Sequence, residues 1–234
     1  LAQTSLAGGG ATRDVLEDVQ WADWAPVGQS LAVARDVGAR NRLEFPIGKV
    51  VYETTGWVSH PRVSPKGDLV AFLDHPVPGD DGGAVAIVDR SGKKKTLTDL
   101  FATAAGLAWS PDGEIWFTAA PIGNNRALYS VTPSGRTRLR ARVTGNLTIH
   151  DIFADGRLLM TQAIERQGMI ALPPGEQKER DLSWLDWSSG AGLSPDGKTV
   201  LFTESGSGGG EGYSVYLRKT DGSPAVRLGE GTAV

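Results

Sequence analysis

Ser110-Pro111-Asp112-Gly113 stops one apolar run, Gly106 to Trp109, and starts another, Ile115 to Thr118. The four residues specify a tight reversal. Proline presets φ near about −65° at the first turn position, aspartate accepts local backbone hydrogen bonds, and glycine takes the positive φ that side chains resist. The same punctuation recurs as Ser194-Pro195-Asp196-Gly197 and Ser64-Pro65-Lys66-Gly67, and in altered form as Ala25-Pro26-Val27-Gly28 and Ala154-Asp155-Gly156.

The closing glycines stand at 28, 67, 113, 156 and 197, steps of 39, 46, 43 and 41 residues. Four residues before each glycine comes a large apolar residue (Trp24, Val63, Trp109, Ile152, Leu193), and three after it another (Leu31, Val70, Trp116, Leu159, Val200). Fixed offsets on both sides of a turn predict a hairpin packed on common layers. Two more strand-like runs follow each hairpin, as Ala84 to Asp89 and Lys95 to Leu100 follow Leu69 to Asp74. A repeat of about 42 residues made of four short strands predicts a β-propeller blade. The expected fold is therefore all-β: about five complete four-stranded antiparallel blades and a half blade, within one propeller domain over residues 1–234.

The expected blades span approximately 20–56, 57–103, 104–145, 146–186 and 187–230, after a lone hairpin of the outer two strands over 1–19. On this pattern the chain is expected to be a piece of a ring of six or more blades. An uncovered blade face of a few hundred Å² would forfeit on the order of 10 kcal/mol, so the chain alone is expected to be marginal, or to close imperfectly, unless an additional hairpin fills the gap.

With 24 Lys and Arg against 27 Asp and Glu, the net charge of −3 supplies no basic field for a nucleic-acid backbone. There are no cysteines, so disulfides and thiol chemistry are excluded, whereas the compartment is left open. The longest apolar stretch, Phe101 to Trp109, contains Gly106 and is far short of a membrane span. No membrane contact by this chain itself is expected.

Several motifs suggest chemistry. Gly192 to Thr199 matches the phosphate-loop pattern letter for letter, but such a loop must open a helix. Here Val200 to Thr203 reads as a strand. Gly206 to Gly212 reads as a flexible loop between two strands. Arg136, Arg138, Arg140 and Arg142 share parity on an outer strand, where charge keeps an edge from pairing. His60 and His150 sit at the starts of innermost strands. His75 falls in a loop between the second and third strands of its blade, and Asp80 and Asp81 lie in the same loop within Pro76 to Gly83, so all five are expected on one loop face over the channel as candidate ligand-binding residues. No two histidines have metal-ligand spacing, and neither a nucleophile elbow nor kinase signatures occur. No catalytic residue, metal or cofactor is expected. Pro26, Gly28, Pro65, Gly67, Pro111, Asp112, Gly113, Asp155, Gly156, Pro195, Asp196 and Gly197 are assigned to structural turns.

Leu107-Ala108-Trp109-Ser110-Pro111-Asp112-Gly113 and Leu193 to Phe202 resemble the WD-like Pro-Asp repeats of TolB and its relatives. Two further stretches are similar to the propeller region following the kinase domain of some bacterial eukaryotic-type serine/threonine kinases: Trp21-Ala22-Asp23-Trp24 with Leu31-Ala32-Val33, and Arg42 to Glu53 with His60 to Gly67. Val27 and Lys66 depart from the turn pattern, as does the fourth turn, which lacks Ser and Pro. The resemblance implies a non-catalytic sensing module that binds a protein or small ligand, on the extracytoplasmic side of a bacterial membrane protein. Its alternatives are the substrate-gating propeller of a prolyl-oligopeptidase-like hydrolase, a free periplasmic TolB-like scaffold, and, for location, the cytoplasm.

Overall fold

The computed structural model describes residues 1–4, 11, 13–26, 30–206, 208–210 and 212–234. The repeated turn is a clasp. Gly67, Gly113, Gly156 and Gly197 have φ of 72°, 84°, 85° and 68°. Their amides donate to the carbonyls of Ser64, Ser110, Phe153 and Ser194 at 2.8, 2.9, 2.9 and 2.8 Å. Gly28 lies outside the described residues, and Pro26 follows the end of an inner strand in a bend.

Serine completes the clasp. Ser110 Oγ accepts the Glu114 amide (3.0 Å) and Ser194 Oγ the Thr199 amide (2.9 Å), while each hydroxyl lies against the carboxylate two residues on, Asp112 or Asp196. These hydroxyls hold both carboxyls below the ordinary aspartate range. Where Lys66 replaces the aspartate, Asp68 substitutes for it, accepting from Ser64 Oγ at 2.7 Å. Ser110→Ala orphans the Glu114 amide, and is expected to cost about 1 kcal/mol. A urea midpoint unchanged from wild type would show that the clasp adds nothing.

The described residues form 22 strands and no helix. A short pair, β1 (Ala2–Gln3) with β2 (Arg13–Asp14), precedes the first full sheet. Four sheets are four-stranded antiparallel meanders with neighbours in sequence order. They are β3 (Val19–Trp24), β4 (Leu31–Val37), β5 (Arg40–Glu44), β6 (Val50–Thr54); β7 (Trp57–Val63), β8 (Leu69–His75), β9 (Ala84–Asp89), β10 (Lys94–Thr96); β11 (Thr103–Trp109), β12 (Ile115–Ala120), β13 (Ala127–Val131), β14 (Thr137–Ala141); and, after the fourth repeat, β19 (Ser188–Leu193), β20 (Thr199–Glu204), β21 (Ser214–Lys219), β22 (Val226–Glu230). This is the four-stranded, all-antiparallel blade of a β-propeller.

The fourth repeat departs from the pattern. Its strands divide into two two-stranded sheets, β15 (Asn146–Ile152) with β16 (Leu158–Ala163) and β17 (Ile170–Ala171) with β18 (Arg180–Asp181). Pro173 and Pro174 offer no N–H to a ladder just beyond β17, which keeps that pair two residues long. The chain divides into two compact units: Leu1–Ala119, Arg126–Val143 and Leu147–Gln162 form one, Ala120–Asn125, Thr144–Asn146 and Ala163–Val234 the other.

In the first unit, period-2 alternation builds two cores from one sheet. Val70, Phe72, Ala86 and Val88 pack with Ala32, Ala34, Leu43 and Phe45. Ala71, Leu73, Val85 and Ile87, on the opposite face, pack with Leu107, Ile115, Phe117 and Val131. Burial on both faces explains why Leu69 to Leu73 and Ala84 to Val88 read as continuous apolar runs. In the second unit, Leu182, Val200, Phe202 and Tyr216 form the core. The expected uniform burial of the offset positions is not found: Val63 and Val70 are buried, whereas Trp24, Leu159 and Leu193 are 60, 51 and 60% exposed. The phosphate-loop match, Gly192 to Thr199, runs from the end of β19 through the Gly197 turn to the first residue of β20, so a strand follows it where a phosphate loop opens a helix. On β14, Arg138 and Arg140 are drawn onto Glu114, and Arg140 covers Trp116 at 4.9 Å.

Candidate functional site

The polar groups of the first unit converge on β7. Ser59 pairs with Leu73 and Arg62 with Ala71, so His60 and Pro61 together oppose the single Phe72. That extra residue is a β-bulge. At its centre His60 has φ 49°, a left-handed backbone that costs a non-glycine residue about 1–2 kcal/mol. Gly106, seven residues before its turn glycine as His60 is before Gly67, has φ 79° at the corresponding place. His60 is held there by its side chain. Its ring lies 4.0 Å from that of Trp21, and Nδ1 lies 2.9 Å from Ser59 Oγ.

Hydrogen positions follow from donor counting. His75 Nδ1 lies 3.0 Å from the Gly82 carbonyl, which only accepts, so Nδ1 carries the hydrogen. In the neutral ring Nε2 is then bare and accepts from Ser59 Oγ at 2.8 Å. Ser59 has spent its only hydrogen, so it accepts from His60 Nδ1–H. The order is His60 to Ser59 to His75 to Gly82. Ser59 and His75 are fully buried, and Trp57 stacks on His75 at 3.9 Å and 11°. A side chain at Gly83 would start 2.7 Å from His75 Nδ1. Burial, then the charges of Arg62, His75, His150 and Arg126, push His60 down to about 3. Burial also lowers His75, against the Gly82 carbonyl and Asp74, Asp81 and Asp80. Ser59 and His75 stand at nucleophile-to-base distance, and both are closed off from solvent.

Two residues along, Arg62 ties four strands together. Its guanidinium donates to Asp23 Oδ1 on β3 (3.0 Å), the Leu107 carbonyl on β11 (2.9 Å) and the His150 carbonyl on β15 (2.6 Å). Asp23 Oδ2 accepts the Val63 amide at 2.8 Å, and Trp109 Nε1 donates to the Arg62 carbonyl at 2.9 Å.

The sequence-based candidates fall into three places. His75 is not in the loop: it is the last residue of β8 and fully buried, because its two nitrogens satisfy Ser59 and Gly82. His150 bonds Thr161 Oγ1 through Nε2 at 2.7 Å, and its carbonyl accepts from Arg62 on the His60 strand. Asp80 and Asp81 organise an exposed loop. Asp80 accepts the Gly82 amide at 2.7 Å and, through its carbonyl, Trp57 Nε1 at 2.9 Å. The Asp81 carboxylate meets Thr103 and lies 3.8 Å from Arg126, while its carbonyl accepts the Ala104 amide at 2.9 Å. Among the described residues, no three His, Cys, Asp or Glu side chains could together hold a metal ion. Ser59, Arg62 and Trp57 were not singled out by sequence reasoning. The only local hint was the polar Ser-His-Pro-Arg run inside an otherwise apolar strand.

No protein-family model and no curated protein match the chain. Solved structures do. TolB from Acinetobacter baumannii matches at 19% identity and TM-score 0.42, over 86% of this chain and 49% of its own. A putative TolB from Agrobacterium tumefaciens matches at 18% and 0.47, over 92% and 83%. A puromycin-hydrolyzing peptidase from Mycobacterium tuberculosis matches at 17% and 0.46, over 89% and 36%. In fold, the chain is similar to TolB-type propellers. It spans about half the length of the Acinetobacter protein and about a third of the mycobacterial peptidase.

Proposed function

We propose that this propeller module is non-catalytic and binds a protein partner through the loop of residues 76–81, as the sensing part of a bacterial serine/threonine kinase on its extracytoplasmic side. The observation that carries the reading is a loop both exposed and fastened. Residues 76–81 are all exposed, with Val77 at 54% between two prolines, yet backbone and side-chain bonds from Trp57, Gly82, Thr103 and Ala104 hold its base. Such preorganisation lowers the entropy cost of docking. Asp80 and Asp81 with no basic residue in the loop favour a partner presenting a basic segment. The buried state of Ser59 and His75 supports a binding role over hydrolysis.

A photo-crosslinking residue in place of Val77 in the full-length protein is expected to give a discrete protein adduct that weakens when Asp80 and Asp81 are both changed to Asn. The same residue in place of exposed Leu139 is the control. Adducts identical at both positions would remove the binding surface, and a G-x-S-x-G hydrolase domain in the parent gene would replace the kinase assignment.

A further inference from the structure

We propose that His60, Ser59 and His75 form an acid-sensitive latch, joining the bulge of β7 to the base of the 76–82 loop and holding most tightly while both imidazoles are neutral. The latch follows from the hydrogen-bond chain and the groups around it, and does not require the loop to bind anything. Ser59 has one hydrogen, and the chain uses it to satisfy a bare His75 Nε2 at 2.8 Å while accepting His60 Nδ1–H at 2.9 Å. A proton added to His75 enters at Nε2, the only open nitrogen. Two N–H groups then face one oxygen, and the Ser59 hydrogen loses its acceptor. His60 would have to give up Nδ1–H to restore order. A proton added to His60 enters at Nε2 and leaves Nδ1–H in place, but sets a cation among cationic neighbours.

The groups facing the latch come from every neighbouring element. Around His60 they are Arg62 on β7, His75 on β8, His150 on β15 and Arg126 just before β13, with Asp23 of β3 engaged by Arg62. Around His75 they are Asp74 of β8 and Asp80 and Asp81 of the loop. The left-handed φ of 49° at His60 gives the bulge a reason to relax once the ring is released. Both histidines titrate below their ordinary value when folded, so acid adds protons preferentially to the opened form. Stability therefore rises with pH between about 3 and 6.5 for His60 and falls away as acid is added within that window.

The latch is read by nitrogen-15 NMR of the imidazoles and by amide exchange at Gly82 and Gly83, corrected for the intrinsic dependence on pH. Both rings are expected as Nδ1–H tautomers at pH 7.5, and neither titrates near 6.5. Opening is expected to increase by up to about tenfold per pH unit below 6.5 for each histidine. His60→Asn accepts the left-handed backbone, and is expected to remove one proton from that slope. A ring in the Nε2–H form, a titration near 6.5 in either ring, or the same slope in H60N would overturn the proposal. The tautomer measurement needs no variant, so a misfolded H60N leaves the test intact.

Discussion

Arg62→Ala is expected to destabilise the first unit by about 3 kcal/mol, seen as a lower urea midpoint with an unchanged slope. Three donors of one guanidinium disappear at once, each serving a different neighbouring strand, leaving the Leu107 and His150 carbonyls without these donors and Asp23 without its cation. Asp23 is only 20% exposed and Arg62 28%, so water replaces the lost bonds in part, which sets the figure at the lower end for a broken ion pair. The charge and the hydrogen-bond components separate in a double-mutant cycle. Asp23→Asn in the Arg62→Ala background is expected to recover about 1 kcal/mol, because it removes the stranded carboxylate. Arg62→Lys keeps the charge but loses the planar fork, and is expected to fall between wild type and alanine. A loss below about 1 kcal/mol for Arg62→Ala would mean the four strands hold together by apolar packing alone.

What sequence reasoning reached was local. A turn is written in residues a few positions apart, so Ser110 to Gly113 announces its own geometry, and Val70 and Phe72 alternating with Ala71 and Leu73 announce two buried faces. The blade follows, since four strands with short connections pair with their sequence neighbours. What it did not reach depends on residues distant along the chain. Arg62 bonds groups 39, 45 and 88 positions away, and an arginine in a strand carries no mark of such a role. His75 looked like a loop residue because Pro76 follows it, but the strand runs one residue further to place the ring between Ser59 and Gly82. The divided fourth repeat was hidden by its turn, which lacks Ser and Pro but closes through Gly156 as the others do, while the strands beyond it separate into two sheets.

Gly106, which stands in β11 where His60 stands in β7, provides the second large effect. Gly106→Ala is expected to cost about 3–5 kcal/mol or prevent folding of the first unit. The φ of 79° already penalises a side chain, and an added Cβ would lie 2.3 Å from the Ile149 carbonyl oxygen and 2.8 Å from its nitrogen. Those are backbone atoms of β15, so relief requires β11 and β15 to separate and gives up the packing of Ala108 against Leu147 and Ile149. Gly113→Ala is the matched control: its φ of 84° is similar, but nothing lies within 4 Å of the new methyl group. It is expected to cost about 1 kcal/mol, the backbone penalty alone. The difference between the two variants, measured by urea titration, isolates the close approach of the two inner strands from the conformational preference of glycine. Equal losses would show that β11 and β15 are not held at contact distance, and the role of Arg62 as a tie between them would fall with that result.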